Sequence, residues 1–290
     1  PRPKHNQGQE NRANSGAGCS PGVHGPGPDF DMPPEISPSC EQLALRAREN
    51  YEEQFEAAPQ ALSRAPGRLE ILGNHTDYNN GYILSVALEL SVVIAAGQEE
   101  TSPRRLGAWS STFNERIDAG LEEPAPLADS WINYPLGVLR ELERSGIRLP
   151  SINLAIESSL PTGAGVSSSA ALELATAEAA YGMLGGRPGD PMEEARLCRR
   201  AENDFVGVPC GILDQFSSLF GKRDHFLFLD CGTLEYDRLS LPGAGLAIVI
   251  ADSRVKHALI DGQYARLRAH CASATQRLGE LLDRPVPSLR

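Results

Sequence analysis

The sequence predicts an α+β fold. Strand-like segments dominate the first third of the chain, and helices are mixed with strands after it. This order differs from the regular strand–helix alternation that is typical of a doubly wound sheet. Residues 160–184 pass from a Gly- and Ser-rich stretch into an Ala- and Leu-rich one, which indicates a loop followed by a long helix. With 290 residues and 41% hydrophobic content, the chain can bury a large core in one or two domains.

The periodicity of apolar residues predicts the elements in chain order. Residues 1–36 are rich in Pro, Gly, Asn and Ser, so they are expected to be disordered. Residues 40–57 place apolar side chains at helical spacing behind Pro38 and Ser39, which are typical of a helix start. Strands are predicted at residues 61–68, 81–88, 91–98, 152–157, 225–230 and 246–251, and helices at residues 131–145, within 160–184, at 191–205 and at 261–282.

Charge and cysteine usage restrict the class of function. The formal net charge of −11 argues against a nucleic-acid-binding surface, whereas local arginines and helix N-termini can still bind a small anion such as ATP. The six cysteines have no CxxC spacing, so neither a disulfide framework nor a zinc site is expected. No apolar run is long enough to cross a membrane and no signal peptide is visible, so we expect reduced thiols and a cytoplasmic location.

The segment LPTGAGVSSSAAL, residues 160–172, has the composition of a phosphate-binding loop. Gly163 and Gly165 let the backbone turn freely and approach a ligand closely. Three serines then open a helix whose free N–H groups attract anions. The segment lacks the lysine that a Walker A loop requires. A serine-capped helix behind a flexible turn would have the same composition.

Two other segments carry polar groups of chemical interest. In AENDFVGVPCGILDQF, residues 201–216, Glu202 ends a predicted helix and Asp214 follows a turn. Two carboxylates beside a phosphate loop suit a hard cation and a catalytic base, although each alone would also be typical of a solvated surface. In APGRLEILGNHTDYNNG, residues 65–81, the side chains of His75 and Asp77 suit sugar hydroxyls, or else a surface loop with a capping aspartate.

Four segments resemble the galactokinases, a branch of the GHMP small-molecule kinases. Residues 65–81 resemble the signature PGRxNLIGEHTDYxxG, and residues 201–216 resemble AEHxFxGxPCGxMDQF. Residues 160–175 resemble the superfamily motif PxxxGLSSSAA, and residues 252–271 resemble NSNVxxxLxxxxYxxRRxxC. The resemblance implies a two-domain GHMP-kinase architecture, with an N-terminal domain at residues 37–190 and the start of a C-terminal domain at residues 191–290.

The same resemblance implies phosphorylation of the anomeric hydroxyl of galactose by ATP with Mg²⁺. Asp214 would be the catalytic carboxylate with Arg68 beside it, and Ser169 and Glu202 would be the magnesium ligands. The implied nucleotide-binding positions are Gly163, Ala164, Gly165, Val166, Ser167, Ser168 and Ser169. The implied sugar-binding positions are Asn74, His75, Asp77, Gly211 and Tyr264.

Two departures from the galactokinase pattern leave alternatives open. Asn74 stands where the signature has Glu, so a kinase for a related sugar such as galacturonate or arabinose is an alternative. The glycine-rich GGGFGG-type motif near the C-terminus is absent, so the C-terminal domain is expected to be incomplete and the chain poorly stable or inactive. A non-catalytic sugar sensor or inactive fragment is the third alternative, and the sequence leaves the oligomeric state undecided.

Overall fold

Helices cover both faces of a mixed sheet in this protein. The computed structural model describes residues 37–122, 124–187, 189–241, 248–251 and 263–290, and the side chains of residues 263–265 lie outside this part, as does the predicted tail at residues 1–36. The described elements are α1 (Cys40–Phe55), β1 (Ala61–Leu72), a 3₁₀ turn (Asp77–Asn79), β2 (Tyr82–Glu99), β3 (Arg105–Ser110), β4 (Glu115–Gly120), α2 (Asn133–Arg144), β5 (Ser151–Ser158), α3 (Ser168–Leu184), α4 (Pro191–Arg200), a π-helical turn (Ala201–Val206), α5 (Leu213–Phe220), β6 (His225–Asp230), β7 (Tyr236–Ser240) and α6 (Gln263–Leu282).

The seven described strands form one sheet, which confirms the α+β prediction. Their order is β4-β3-β5-β2-β6-β7, and β1 also pairs with β2. The β3–β5 pairing is parallel, and the pairings of β2 with β1, β5 and β6 are antiparallel. The described residues belong to one compact unit, Ser37–Arg290. The domain boundary after residue 190 stays a prediction.

Strand β2 separates two hydrophobic clusters because successive side chains of a strand point to opposite faces. Val92, Ile94 and Ala96 pack in the larger cluster, which includes buried residues of α2 and α3. Val93 and Ala95 pack in a smaller cluster beneath α1. Both faces of the sheet centre are therefore dry, and this rigid layer supports the polar segments that follow β1 and precede α3.

Helix α3 is central to the larger cluster. Its sequence is Ala-rich on every side, and its buried residues include Ala171, Leu174 and Ala180. A helix that is apolar all round is stable only when other elements enclose it. α3 contacts β1, β2, α2, α4 and α5. This enclosure fixes the position of the helix N-terminus, where the Gly- and Ser-rich segment begins.

The structure differs from the predicted elements at several places. The strands predicted at residues 81–88 and 91–98 are one strand, β2, because Glu89 and Leu90 between them include no turn-forming residue. The helix predicted at residues 191–205 changes to a π-helical turn after Arg200. β3, β4, α5 and β7 were not predicted. Residues 248–251 of the predicted strand 246–251 have no regular structure, and residues 246 and 247 lie outside the described part.

No helix in the described part of the chain is long and apolar enough to cross a membrane. The five described cysteines, at positions 40, 198, 210, 231 and 271, are all free thiols, as expected from their spacing.

A buried carboxyl on α4 makes the stability of the fold depend on pH. Burial raises the pKa of Glu194 from its ordinary value of 4.5 to about 7, although Arg187, whose Nε lies 2.5 Å from Oε2, lowers it. The folded state therefore binds this proton more tightly than the unfolded chain does. The resulting stability is fully present below about pH 4.5 and is lost as the pH rises through about 7.

Glu194→Gln is expected to remove most of this pH dependence. Between about pH 5 and about pH 8, the parent protein should lose about 3 kcal/mol of unfolding free energy that the variant keeps. Urea unfolding at intermediate pH values measures the difference. The control is Glu193→Gln, an exposed neighbour on the same helix. If the unfolding free energies of the parent protein and Glu194→Gln change with pH in the same way, the assigned role of Glu194 is contradicted.

Candidate active site

The guanidinium of Arg68 joins two segments that are distant in sequence. Its Nε and Nη2 donate to Oδ1 of Asp214 at 3.0 and 2.7 Å, and Nη1 donates to the carbonyl of Gly165 at 2.6 Å. The backbone N–H of Arg68 donates to the carbonyl of Val166 at 3.1 Å. The side chains of Arg68 and Asp214 are only 12% and 25% exposed. β1, the segment before α3 and the start of α5 thus meet at one side chain.

Asp214 lies in the first turn of α5, where a carboxylate is favoured by the helix dipole. α5 is fixed across the sheet by two hydroxyl contacts. Ser218 donates to the carbonyl of Pro66 at 2.5 Å, and Oγ of Ser217 lies 2.7 Å from Oγ of Ser85 on β2. The apolar face of α5, including Phe216, packs on β6. The carboxylate is therefore held at a defined position.

The segment before α3 has the backbone geometry of an anion-binding loop. Gly163, Gly165 and Ser167 have φ angles of 77°, 72° and 58°, in the left-handed region. At the two glycines an added Cβ would meet no atom within 4 Å, so the conformation and not the space requires glycine. Residues in this conformation turn successive N–H groups toward one side, which is how backbone nests bind anions.

The serine-capped helix, the other interpretation of this segment, does not describe the structure. Ser167 is the N-cap of α3 but makes no side-chain capping hydrogen bond. Its hydroxyl is buried and has no hydrogen-bond partner in the described part of the chain. A buried hydroxyl without a partner is costly, and a phosphate oxygen at the helix N-terminus would satisfy it.

Glu202 and Ser169 lie together beside this loop, as the sequence predicted. Glu202 is in the π-helical turn, is almost fully buried, and hydrogen-bonds the side chain of Ser169. Its Oε2 accepts from Nε2 of Gln215 at 2.8 Å and from Sγ of Cys210 at 3.1 Å. Burial, and after it the negative charge of Asp214, raises the pKa of Glu202 to about 7.

A second buried carboxyl, Glu173, was not predicted. It lies one helical turn after Ser169 on α3, and its Oε2 accepts from Nε2 of Gln215 at 2.9 Å. One amide group therefore bridges Glu173 and Glu202. Burial raises the pKa of Glu173, and the nearby charge of Glu202 adds to the effect. A charged residue inside an otherwise Ala- and Leu-rich helix is the signal that could have identified it.

The polar segment between β1 and β2 is a structured turn. Oγ1 of Thr76 lies 2.7 Å from the carbonyl oxygens of both Gly73 and Tyr82, and its single proton can be donated to either, which closes the turn across its base. The backbone of His75 is in the left-handed region, and its Nδ1 lies 2.9 Å from the hydroxyl of Tyr78. These contacts hold His75 and Asp77 beyond the end of β1, which continues for four residues after Arg68.

Asp77 packs against the loop that leads into α5. A Cβ added to Gly211 would lie 2.5 Å from Cγ of Asp77 and closer still to Oδ2, so only glycine fits there. Burial raises the pKa of Asp77, the backbone N–H of Tyr78 lowers it, and the charge of Asp214 raises it further. The loop itself is braced by Asn203, whose side chain bonds both the N–H and the carbonyl of Cys210.

The structure thus brings together most of the residues singled out in the sequence. The structure places Gly165, Arg68, Asp214, Glu202, Asp77 and Gly211 in one region. The side chain of Asn74 is exposed. Tyr264 lies in the first turn of α6, and its side chain is outside the described part. α6 itself reaches this region, because Arg268 donates to the carbonyl of Cys210 at 3.3 Å.

Comparisons with known proteins identify the family. The profile described as "GHMP kinases N terminal domain" matches residues 133–222, and the profile described as "Galactokinase galactose-binding signature" matches residues 49–98. The galactokinase of Thermotoga maritima is 40% identical over 223 residues, which cover 77% of this chain and 61% of that relative. Human galactokinase is 37% identical over 254 residues, which cover 84% of this chain and 63% of the human protein. Over these matched residues, the chain is homologous to the galactokinases.

Structural similarity agrees with this relationship to the galactokinases. The crystal structure of Lactococcus lactis galactokinase complexed with galactose matches with a TM-score of 0.68 and 25% sequence identity, covering 81% of this chain and 61% of that one. This chain therefore spans about three fifths of the length of the galactokinases that it matches. The family models cover three of the four sequence segments, residues 65–81, 160–175 and 201–216, and the GHMP-kinase fold is confirmed.

Proposed function

We propose that this protein transfers the γ-phosphoryl group of ATP to the anomeric hydroxyl of galactose. The observation that carries the proposal is the bridge made by Arg68. One guanidinium bonds the carboxylate of Asp214 and the backbone of the loop that surrounds the N-terminus of α3. A group that can orient a hydroxyl and a loop that can bind phosphate are thereby held next to each other, which is the arrangement that phosphoryl transfer requires.

Each side chain has a defined part in this reaction. Asp77 and His75 bind sugar hydroxyls and orient the ring. Asp214 accepts the hydrogen bond of the anomeric hydroxyl and takes its proton as the new P–O bond forms and the bond to ADP breaks. Arg68 compensates the charge of Asp214 and keeps it beside the phosphate loop. The N–H groups of residues 163–169 bind the phosphate oxygens.

The residues present also fit Mg²⁺. The hydroxyl of Ser169 and the carboxylate of Glu202 are hard oxygen donors in contact with each other. The described residues contain no group of three or more His, Cys, Asp or Glu suited to a metal, but Mg²⁺ usually needs only one or two carboxylates together with substrate phosphates. When bound, it would neutralise phosphate charge and favour ionised Glu202.

The test is sugar-dependent release of ADP. The chain is incubated with ATP and Mg²⁺, and ADP is measured with galactose, galacturonate, arabinose or glucose, each against a reaction without sugar. Galactose is expected to give the highest kcat/KM, and NMR of the product should show phosphate at the anomeric oxygen. Omission of Mg²⁺ should abolish turnover.

Two outcomes would favour the alternatives. A higher kcat/KM for galacturonate or arabinose would indicate a kinase for a related sugar, which Asn74 motivates. Binding of galactose and ATP without any ADP release would indicate a non-catalytic sugar-binding protein.

A further inference from the structure

Glu70 lies on the same face of the sheet as the Arg68–Asp214 pair. The register of β1 on β2 is unbroken from Arg68 to Glu70, so these two side chains point to one side. Glu70 is directly opposite Ser85, and Ser85 contacts Ser217 of α5 at 2.7 Å. Glu70 is therefore placed on the face that α5 covers, between the catalytic carboxylate and the polar turn.

The charges that act on Glu70 all belong to the candidate active site. Burial is the main cause that raises the pKa of Glu70, and the negative charges of Asp77 and Asp214 raise it further. The positive charges of Arg68 and His75 lower it. Because charge–charge interactions weaken with distance, these influences agree with the position that the strand register gives Glu70, on the same face as the Arg68–Asp214 pair.

The sequence of this segment shows an exchange of residue types. The signature PGRxNLIGEHTDYxxG has Asn at the position of Glu70 and Glu at the position of Asn74. This chain has the reverse arrangement, with Glu at position 70 and Asn at position 74. Asn74 is exposed, whereas Glu70 is half-buried. The segment keeps one carboxylate and one amide, with their two positions exchanged.

We infer that Glu70 is a sugar-binding residue that supplies the carboxylate missing at position 74. The inference rests on the proposed function and adds a determinant of substrate choice to it. A carboxylate at position 70 accepts a hydrogen bond from a sugar hydroxyl, and an ionised acceptor makes a stronger bond than an amide oxygen. Sugars that carry their own carboxylate, such as galacturonate, are disfavoured because Glu70, Asp77 and Asp214 already provide three negative groups.

The test is an exchange experiment in the full chain with Glu70→Asn, Asn74→Glu and the double variant. Galactose and ATP affinities are measured by titration calorimetry, so the result does not depend on turnover. Glu70→Asn is expected to weaken galactose binding about tenfold and to leave ATP affinity within about twofold. The double variant should recover galactose affinity to within about threefold of the parent protein. Glu89→Gln, an exposed carboxylate on β2, is the control.

The outcomes separate this inference from the proposed function. Glu70→Gln, which keeps the shape of the side chain, replaces Glu70→Asn if thermal unfolding shows that the latter does not fold. If the parent protein binds galactose and the Glu70 variants bind it with the same affinity, only the inference is overturned. A loss that Asn74→Glu does not recover would also overturn it, because Glu70 would then not replace a group at position 74. Absence of binding for every sugar tested would instead reject the proposed function.

Discussion

Asp214→Asn is expected to lower kcat for galactose phosphorylation by roughly 10²–10⁴, the usual contribution of a positioned acid–base group. Asparagine has nearly the same shape but cannot take the proton of the anomeric hydroxyl. The nucleotide affinity should stay within about threefold, because Nη1 of Arg68 still has the carbonyl of Gly165 as an acceptor. The free energy of unfolding should fall, since a largely buried guanidinium loses its counter-charge.

The measurement is kcat for galactose together with ATP affinity in the same preparation. Asp204→Asn is the matched control. Asp204 is exposed on the preceding π-helical turn, so this substitution makes the same chemical change away from the site. A decrease in kcat of less than about fivefold would show that Asp214 is not the catalytic carboxylate.

Gly211→Ala is expected to raise the KM for galactose by about 10²-fold. The new methyl group would overlap the carboxylate of Asp77, which must then move away from its position at the end of the polar turn. ATP affinity should change little, because the proposed phosphate loop contacts Arg68, through the carbonyls of Gly165 and Val166. The effect is thus expected in sugar binding rather than nucleotide binding.

Steady-state kinetics with varied galactose at saturating ATP measure the KM for galactose. Kinetics with varied ATP at saturating galactose measure the KM for ATP. Gly120→Ala is the control, since a Cβ at Gly120 would meet no atom within 4 Å. An unchanged KM for galactose would mean that Asp77 does not bind the sugar from this position.

The sequence predicts those parts of the site that depend on local spacing. The composition of residues 160–172 predicts an anion-binding loop before α3, whereas the pairings of Arg68 with Asp214 and of Ser169 with Glu202 are implied only by the resemblance to the galactokinases. Tyr264 remains a prediction, since its side chain lies outside the described part of the chain.

Contacts between distant segments that the resemblance does not imply could not be predicted. The bridge from Gln215 to Glu173 and Glu202 depends on the packing of α5 against α3, and no local pattern reports that packing. The position of Glu70 depends on the register of β1 against β2. The sequence did not predict this register, because it divided β2 into two strands at residues 81–88 and 91–98. α5 itself was overlooked because a short helix after a Gly- and Pro-containing loop has little periodicity of its own.

The bridge made by Arg68 also bears on the order in which the chain folds. Arg68 and Asp214 are 146 residues apart, and Arg68 and Gly165 are 97 apart. Contacts that close long loops carry a large entropic cost and form after local ones. During synthesis, the β1–β2 hairpin leaves the ribosome long before α5 does. The Arg68–Asp214 pair therefore assembles after the hairpin, and until then the Arg68 guanidinium stays hydrated.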